Sequence, residues 1–185
     1  SLGQRRALIF DRHLYQPLLY AEGGDIQIKP VALNKGEKTF VEDLRNFYQQ
    51  NQAFFQKKEL YLLRNMSKGR GVGFFEAGNF YPDFVLWLLD SDKQYVSFVD
   101  PKGIFNLAPN DPKIEFYKTI KSVEKQLGDK NVILNSFIVS VTPYHKVRNI
   151  HGAESQEDFA SKHILFQEDT GYIKRLVNSL EAALT

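Results

Sequence analysis

Asp83, Asp100 and Lys102 are the residues of this 185-residue chain whose types and spacing could do chemistry together. Asp83 opens the apolar run Phe84-Val85-Leu86-Trp87-Leu88-Leu89, and Asp100 closes the run Gln94-Tyr95-Val96-Ser97-Phe98-Val99. If the turn Asp90-Ser91-Asp92-Lys93 is symmetric about Ser91 and Asp92, Asp83 lies directly across from Asp100, and Tyr81 across from Lys102. Opposed Cβ atoms in a hairpin are ~4.5–5.5 Å apart, and residues two apart on a strand share a face, so two carboxylates and one amine converge. Like charges at that distance are destabilising unless one is protonated or a cation lies between them. A divalent metal resolves the conflict, since Mg²⁺ takes one or two protein carboxylates and leaves its other positions to water and phosphate oxygens. Lys102 would then position an attacking water and offset charge developing on phosphate. The chemistry expected of such a set is phosphodiester hydrolysis. The competing explanation is a polar turn at Pro101 and Gly103, with Asp83 following Pro82 at a strand start.

The elements that must position these residues follow from periodicity. Phe40, Leu44, Phe47 and Phe54 recur at helical spacing, and Thr39-x-x-Glu42 reads as a capping box, which predicts a helix over 39–56. Glu59-Leu60-Tyr61-Leu62-Leu63-Arg64-Asn65 is a first strand. The runs around the Ser91–Asp92 turn are a second and a third strand joined as a hairpin. The second is apolar on both alternating faces, as a central strand covered on both sides should be. Phe116, Ile120, Val123 and Leu127 give an amphipathic helix over 113–127, with Gly128 as its stop. Residues 132–141 return to β composition and are stopped by Pro143, while 154–163 and 170–182 are helical around a short strand, Ile164-Leu165-Phe166. The order α-β-β-β-α-β with a helical tail predicts an α/β domain with a mixed central sheet. Residues 1–38 read as a lead-in with short β-like runs at Leu8-Ile9-Phe10, Leu18-Leu19-Tyr20 and Ile26-Gln27-Ile28, packing as an edge or arm.

The pattern Pro82-Asp83, sixteen residues, then Asp100-Pro101-Lys102-Gly103 resembles the PD-(D/E)XK nuclease signature. The resemblance implies a restriction-endonuclease-like αβββαβ core over about 39–143 within a nuclease-like domain 39–185, with the N-terminal β arm before it and C-terminal helices after. More closely, Phe80-Tyr81-Pro82-Asp83-Phe84 and Phe98-Val99-Asp100-Pro101-Lys102-Gly103 resemble the nuclease-like domain that follows the motor in restriction-type and type III-like helicases. By that resemblance Asp83, Asp100 and the Pro101 backbone carbonyl hold Mg²⁺ or Mn²⁺, Lys102 is the catalytic lysine, the substrate is DNA, and an ATP-driven helicase or translocase motor is linked or associated. The family often adds an acid on its first core helix. Glu42 is the candidate, although the capping box explains it equally well; Glu76 is a weaker one. Two departures are the middle Asp in place of the commoner Glu, and Pro101, whose missing N–H is expected to cost a ladder bond at a tolerant strand end. The expected activity is a metal-dependent DNA endonuclease. The alternatives are a catalytically inert nuclease-like module that binds DNA or a partner for a helicase, and an RNA nuclease using the same active-site residues.

Composition sets outer limits. Lys and Arg number 24 against 22 Asp and Glu, so any polyanion contact must come from a local basic patch. Lys68 and Arg70, in the glycine-rich loop Lys68-Gly69-Arg70-Gly71-Val72-Gly73, are candidates for phosphate contact, although a basic turn explains them as well. That loop has no Walker A ending, so ATP binding is not expected there. Lys118, Lys121 and Lys125 form a stripe best read as a solvated face. With no cysteine, disulfides, zinc-thiolate sites and cysteine nucleophiles are excluded, and a reducing cytoplasmic setting fits. The four histidines lack zinc-ligand spacing. No stretch approaches the ~20 apolar residues of a membrane span. The absent initiator Met suggests a piece of a larger chain. Cutting both strands of a duplex needs two sites, which points to a homodimer or to nicking.

Overall fold

The computed structural model describes residues 5–8, 18–21, 32–66, 71–74, 80–148 and 155–181. It is an α/β structure with a five-stranded mixed sheet. The elements in chain order are β1 (Arg5–Leu8), β2 (Leu18–Ala21), α1 (Lys35–Gln50), α2 (Gln52–Phe55), β3 (Lys58–Arg64), β4 (Phe84–Asp90) and β5 (Lys93–Lys102). They continue with α3 (Phe116–Leu127), β6 (Val132–Ser140), α4 (Tyr144–Val147), α5 (Gln156–Ser161), β7 (Ile164–Phe166) and α6 (Tyr172–Glu181). Strands β3, β4 and β5 are antiparallel neighbours, while β6 and β7 add in parallel. A two-residue turn joins β4 to β5, a longer connection joins β3 to β4, and each parallel pair is joined by a helical crossover, as chain connectivity requires. In the lead-in, β1 and β2 pair separately as a two-stranded sheet. The expected run Ile26-Gln27-Ile28 lies outside the described residues.

Alternation along the strands sends apolar side chains into layers on both faces. On one face Phe40 and Leu44 of α1 and Leu176 and Val177 of α6 pack against Leu62, Leu86, Val99 and Val139. On the other, Phe116 and Ile120 of α3 cover Val85, Phe98 and Leu134. Both layers are needed because β4 is buried at Phe84, Val85, Leu86 and Leu88, residues of both parities. Truncating one such Leu or Phe to Ala would cost about 2–5 kcal/mol. Among the described residues no helix is long and apolar enough to cross a membrane.

Helices α1 and α3 depart from their expected boundaries. Helix α1 starts at Lys35, one turn before Thr39, because Asn34 caps it: Asn34 Oδ1 accepts from the Glu37 N–H at 3.0 Å, and Glu37 Oε2 accepts from the Asn34 N–H at 3.3 Å. Thr39-x-x-Glu42 is therefore interior helix. Gly36 in the first turn is a matter of contact, since a Cβ there would lie 2.5 Å from Val141 Cγ1. The helix ends at Asn51, whose N–H and side-chain amide both bond the Phe47 carbonyl, and 52–55 form a separate turn of helix. Helix α3 begins at Phe116 after a turn over 111–115 and ends as expected at Gly128, which takes φ 70°. Leu33 joins the main core, so the packed region starts ahead of residue 39.

Candidate active site

The two-residue turn sets the register across the hairpin, from Asp90↔Lys93 to Phe84↔Val99. One step beyond the last pair, Asp83 and Asp100 face each other as the turn arithmetic requires, and Asp100 is among the groups that raise Asp83. Asp83 is fixed from behind: its carbonyl accepts from the Asn65 N–H at 2.8 Å, and the Asn65 amide donates to the Pro82 carbonyl at 2.8 Å. Asn65 also exchanges hydrogen bonds with the Val72 backbone, 2.7 and 2.9 Å, tying residues 71–73 to the same corner.

Strand β5 outruns β4, so residues 100–102 have β6 alone as a strand neighbour. The Lys102 carbonyl accepts from Val141 N–H at 3.0 Å, which turns the backbone groups of Lys102 toward β6. By alternation those of Pro101 turn away, toward the space β4 has vacated. The missing Pro101 N–H thus removes no bond to β6, contrary to the expected cost, and its carbonyl faces the side on which Asp83 lies.

Burial sharpens the electrostatics. Asp100 is 4% exposed and pairs with Lys102, whose Nζ is 2.5 Å from its Oδ2 and 5.5 Å from the Phe80 ring centroid. Burial, then the hydrogen bond and negative charge of Asp100, push Asp83 up to about 8, with Glu37 adding and Lys102 opposing. Glu37 is itself raised, chiefly by burial, against the opposing Arg64 guanidinium 3.4 Å away. Burial lowers Arg64 while Glu37 and Asp83 hold it up.

Asp83, Asp100, Pro101 and Lys102 line one cavity of about 630 Å³ together with Glu37 and Lys113. A larger cavity of about 840 Å³ opens at the start of β3, lined by Tyr48, Gln52 and Lys57 among others, without a comparable set of acids facing an amine. Chemistry rather than size therefore singles out the site. Among the described residues no three or more His, Cys, Asp or Glu side chains are gathered to hold a metal. The donor set is two carboxylates on one cavity, one raising the pKa of the other, with the backbone of Pro101 beside them. That set fits Mg²⁺ or Mn²⁺, which need few protein ligands and would offset the like charge of the two acids.

The other sequence-derived candidates fall differently. Glu42 sits on α1 in an ion pair with Lys38, 3.9 Å, away from the cavity lining; the acid that α1 supplies there is Glu37. Lys68, Arg70 and Glu76 lie outside the described residues. Lys118 and Lys121 are paired with Glu115 and Glu124, at 2.5 and 2.9 Å. Glu37, Arg64 and Lys113 were missed. For Glu37 the available signal was Asn34-x-x-Glu37, a second capping-box pattern; for Arg64 it was a charge ending an apolar strand. Compared with protein-family models, curated proteins and solved structures, the chain finds no match in any of the three.

Proposed function

We propose that this chain is a divalent-metal-dependent endonuclease domain that hydrolyses DNA phosphodiester bonds on a restriction-endonuclease-like fold. The observation that carries the reading is the meeting of Asp83, Asp100 and Lys102 at the ends of two adjacent strands, on one cavity wall. A binding role has no need of two carboxylates pressed together beside an ammonium, an arrangement that opposes its own ionisation. The αβββαβ order supports the fold assignment, and the Pro-Asp and Asp-Pro-Lys signatures support the family.

Asp83, Asp100 and the Pro101 carbonyl would hold Mg²⁺ or Mn²⁺. A bound cation supplies Lewis-acid polarisation of the phosphate and lowers the pKa of a water. Lys102 orients the attacking water and offsets the negative charge that grows on the phosphate. Glu37, held by its cap and by Arg64, adds negative potential behind the acid pair and favours cation entry. The resemblance to helicase-attached domains makes a motor protein the partner to seek.

The deciding experiment is nicking of supercoiled plasmid with Mg²⁺, Mn²⁺ or EDTA, using Asp100→Ala and Lys102→Ala as controls. A metal-dependent product missing from both variants is expected. Cleavage that survives in both variants, or a wild-type chain that neither cuts nor binds Mn²⁺, would sink the reading in favour of an inert module.

A further inference from the structure

Resting on the nuclease reading, we propose that Lys113 is the residue that positions the substrate in this cavity, gripping a backbone phosphate beside the scissile one. It lies on the connection between β5 and α3 and lines the same cavity as Asp83, Asp100 and Lys102. The other two cations at the site are committed: Lys102 to Asp100 at 2.5 Å and Arg64 to Glu37 at 3.4 Å. Those that follow on α3, Lys118 and Lys121, are committed to Glu115 and Glu124. Among the described residues the Lys113 ammonium has no carboxylate partner, although it is half-buried beside a concavity that holds three acids.

Its backbone is fixed before any ligand arrives. Asp111 Oδ1 accepts from the Lys113 N–H at 2.9 Å, and the Asp111 carbonyl accepts from the Ile114 N–H at 2.8 Å. Ile114, 2% exposed, and Ile104, fully buried, pin this connection into one apolar cluster at both of its ends. A cation on an anchored backbone loses little freedom on binding, which a lysine on a free loop would. Its chemistry suits a phosphodiester: an ammonium is a point charge that reads the phosphate and carries no base preference. One cavity thus carries the acids Asp83 and Asp100 and the cation Lys113. A phosphate chain bound in it would have one phosphate at the acids and a neighbour at Lys113.

The test is binding of a short labelled DNA duplex to the whole chain in Ca²⁺, across a salt series, for wild type, Lys113→Ala, Lys113→Arg and Lys125→Ala. Lys125 is an exposed lysine of α3 outside the cavity lining and controls for loss of charge alone. Losing one phosphate contact should flatten the plot of log affinity against log salt by about 0.9 and weaken binding roughly five- to tenfold near 0.1 M salt. Lys113→Ala should show both effects and a raised KM with kcat little changed, Lys113→Arg should restore the slope, and Lys125→Ala should match wild type. Equal behaviour of Lys113→Ala and Lys125→Ala, or a wild-type chain that does not bind the duplex, overturns the assignment. If no form cleaves while Lys113→Ala alone weakens binding, the nuclease reading fails and the phosphate contact stands.

Discussion

Lys102 Nζ lies 2.5 Å from Asp100 Oδ2, two residues along the same face of β5. The ammonium therefore sits on an oxygen that a divalent cation would also use, and it offsets a carboxylate whose side chain is 5% exposed. Breaking a buried pair by removing one partner leaves a stranded charge, and here the lysine is 22% exposed, which moderates the cost. Lys102→Ala should lower stability in EDTA by about 1–3 kcal/mol. Mn²⁺ should recover more stability in that variant than in wild type, because it meets no competing ammonium. Urea denaturation with and without Mn²⁺ checks both; an equal Mn²⁺ effect in the two proteins would show that Lys102 and the cation do not compete.

On the proposed reading, a proton and a cation would compete at Asp83 in the same way. Its folded-state pKa of about 8 stands above the ordinary 3.8, so the fold favours the protonated carboxyl. That contribution is complete below about pH 4 and is lost as pH rises through about 8. Divalent binding must expel the proton, so below pH 8 each Mn²⁺ bound should release about one proton, and affinity should fall on acidification. Calorimetry in two buffers of different ionisation enthalpy measures that number, and a value near zero would mean that the acids are not the ligands.

Glu37 and Glu42 make a paired test of the helix acid. Glu37 is 9% exposed, completes the Asn34 cap and pairs with Arg64, whereas Glu42 holds a part-exposed i,i+4 pair with Lys38. Glu37→Ala should cost about 1–3 kcal/mol through the cap and the stranded guanidinium, while Glu42→Ala should stay within about 0.5 kcal/mol. Glu37→Gln keeps a cap acceptor and removes the charge, so it should recover part of the stability yet weaken Mn²⁺ binding. Thermal melts together with Mn²⁺ titrations separate the two effects, and a Glu42→Ala variant with impaired Mn²⁺ binding would reverse the assignment.

What could be read from the chain alone divides along the same line. Asp83, Asp100 and Lys102 were legible because a two-residue turn converts sequence distance into register, and Gly128 was legible because a left-handed helix stop needs glycine. The start of α1 was not, since Gly36 weakens a helix locally and is explained by Val141, a residue far along the chain. Glu37 slipped with it: displacing the helix start by one turn hands the role of first-turn acid to Glu42. Arg64 and Lys113 enter the site through the pairing of β3 with β4 and the return of the chain after β5. No local pattern records either contact.

His163 supplies a pH dependence opposite in sign to that of Asp83. Its ring stacks on Phe137 with centroids 4.7 Å apart, Nδ1 lies 3.0 Å from the Ser136 carbonyl, and burial lowers its pKa below the ordinary 6.5, with Lys121 adding. The fold therefore favours neutral imidazole: this contribution is present above pH 6.5 and is lost as pH falls toward the lowered value. Just below pH 6.5 the two groups oppose each other, His163 making stability rise with pH and Asp83 making it fall. Asp83→Asn should leave a profile that rises more steeply with pH than wild type, and His163→Asn one that falls more steeply. Asparagine is chosen because His163 has φ 56°, a left-handed backbone that Asn tolerates. Urea midpoints of the metal-free proteins at several pH values across this window measure the slopes. Parallel profiles for wild type and Asp83→Asn would mean that Asp83 is not held protonated by burial and by Asp100, and would remove the reason for a cation to enter there.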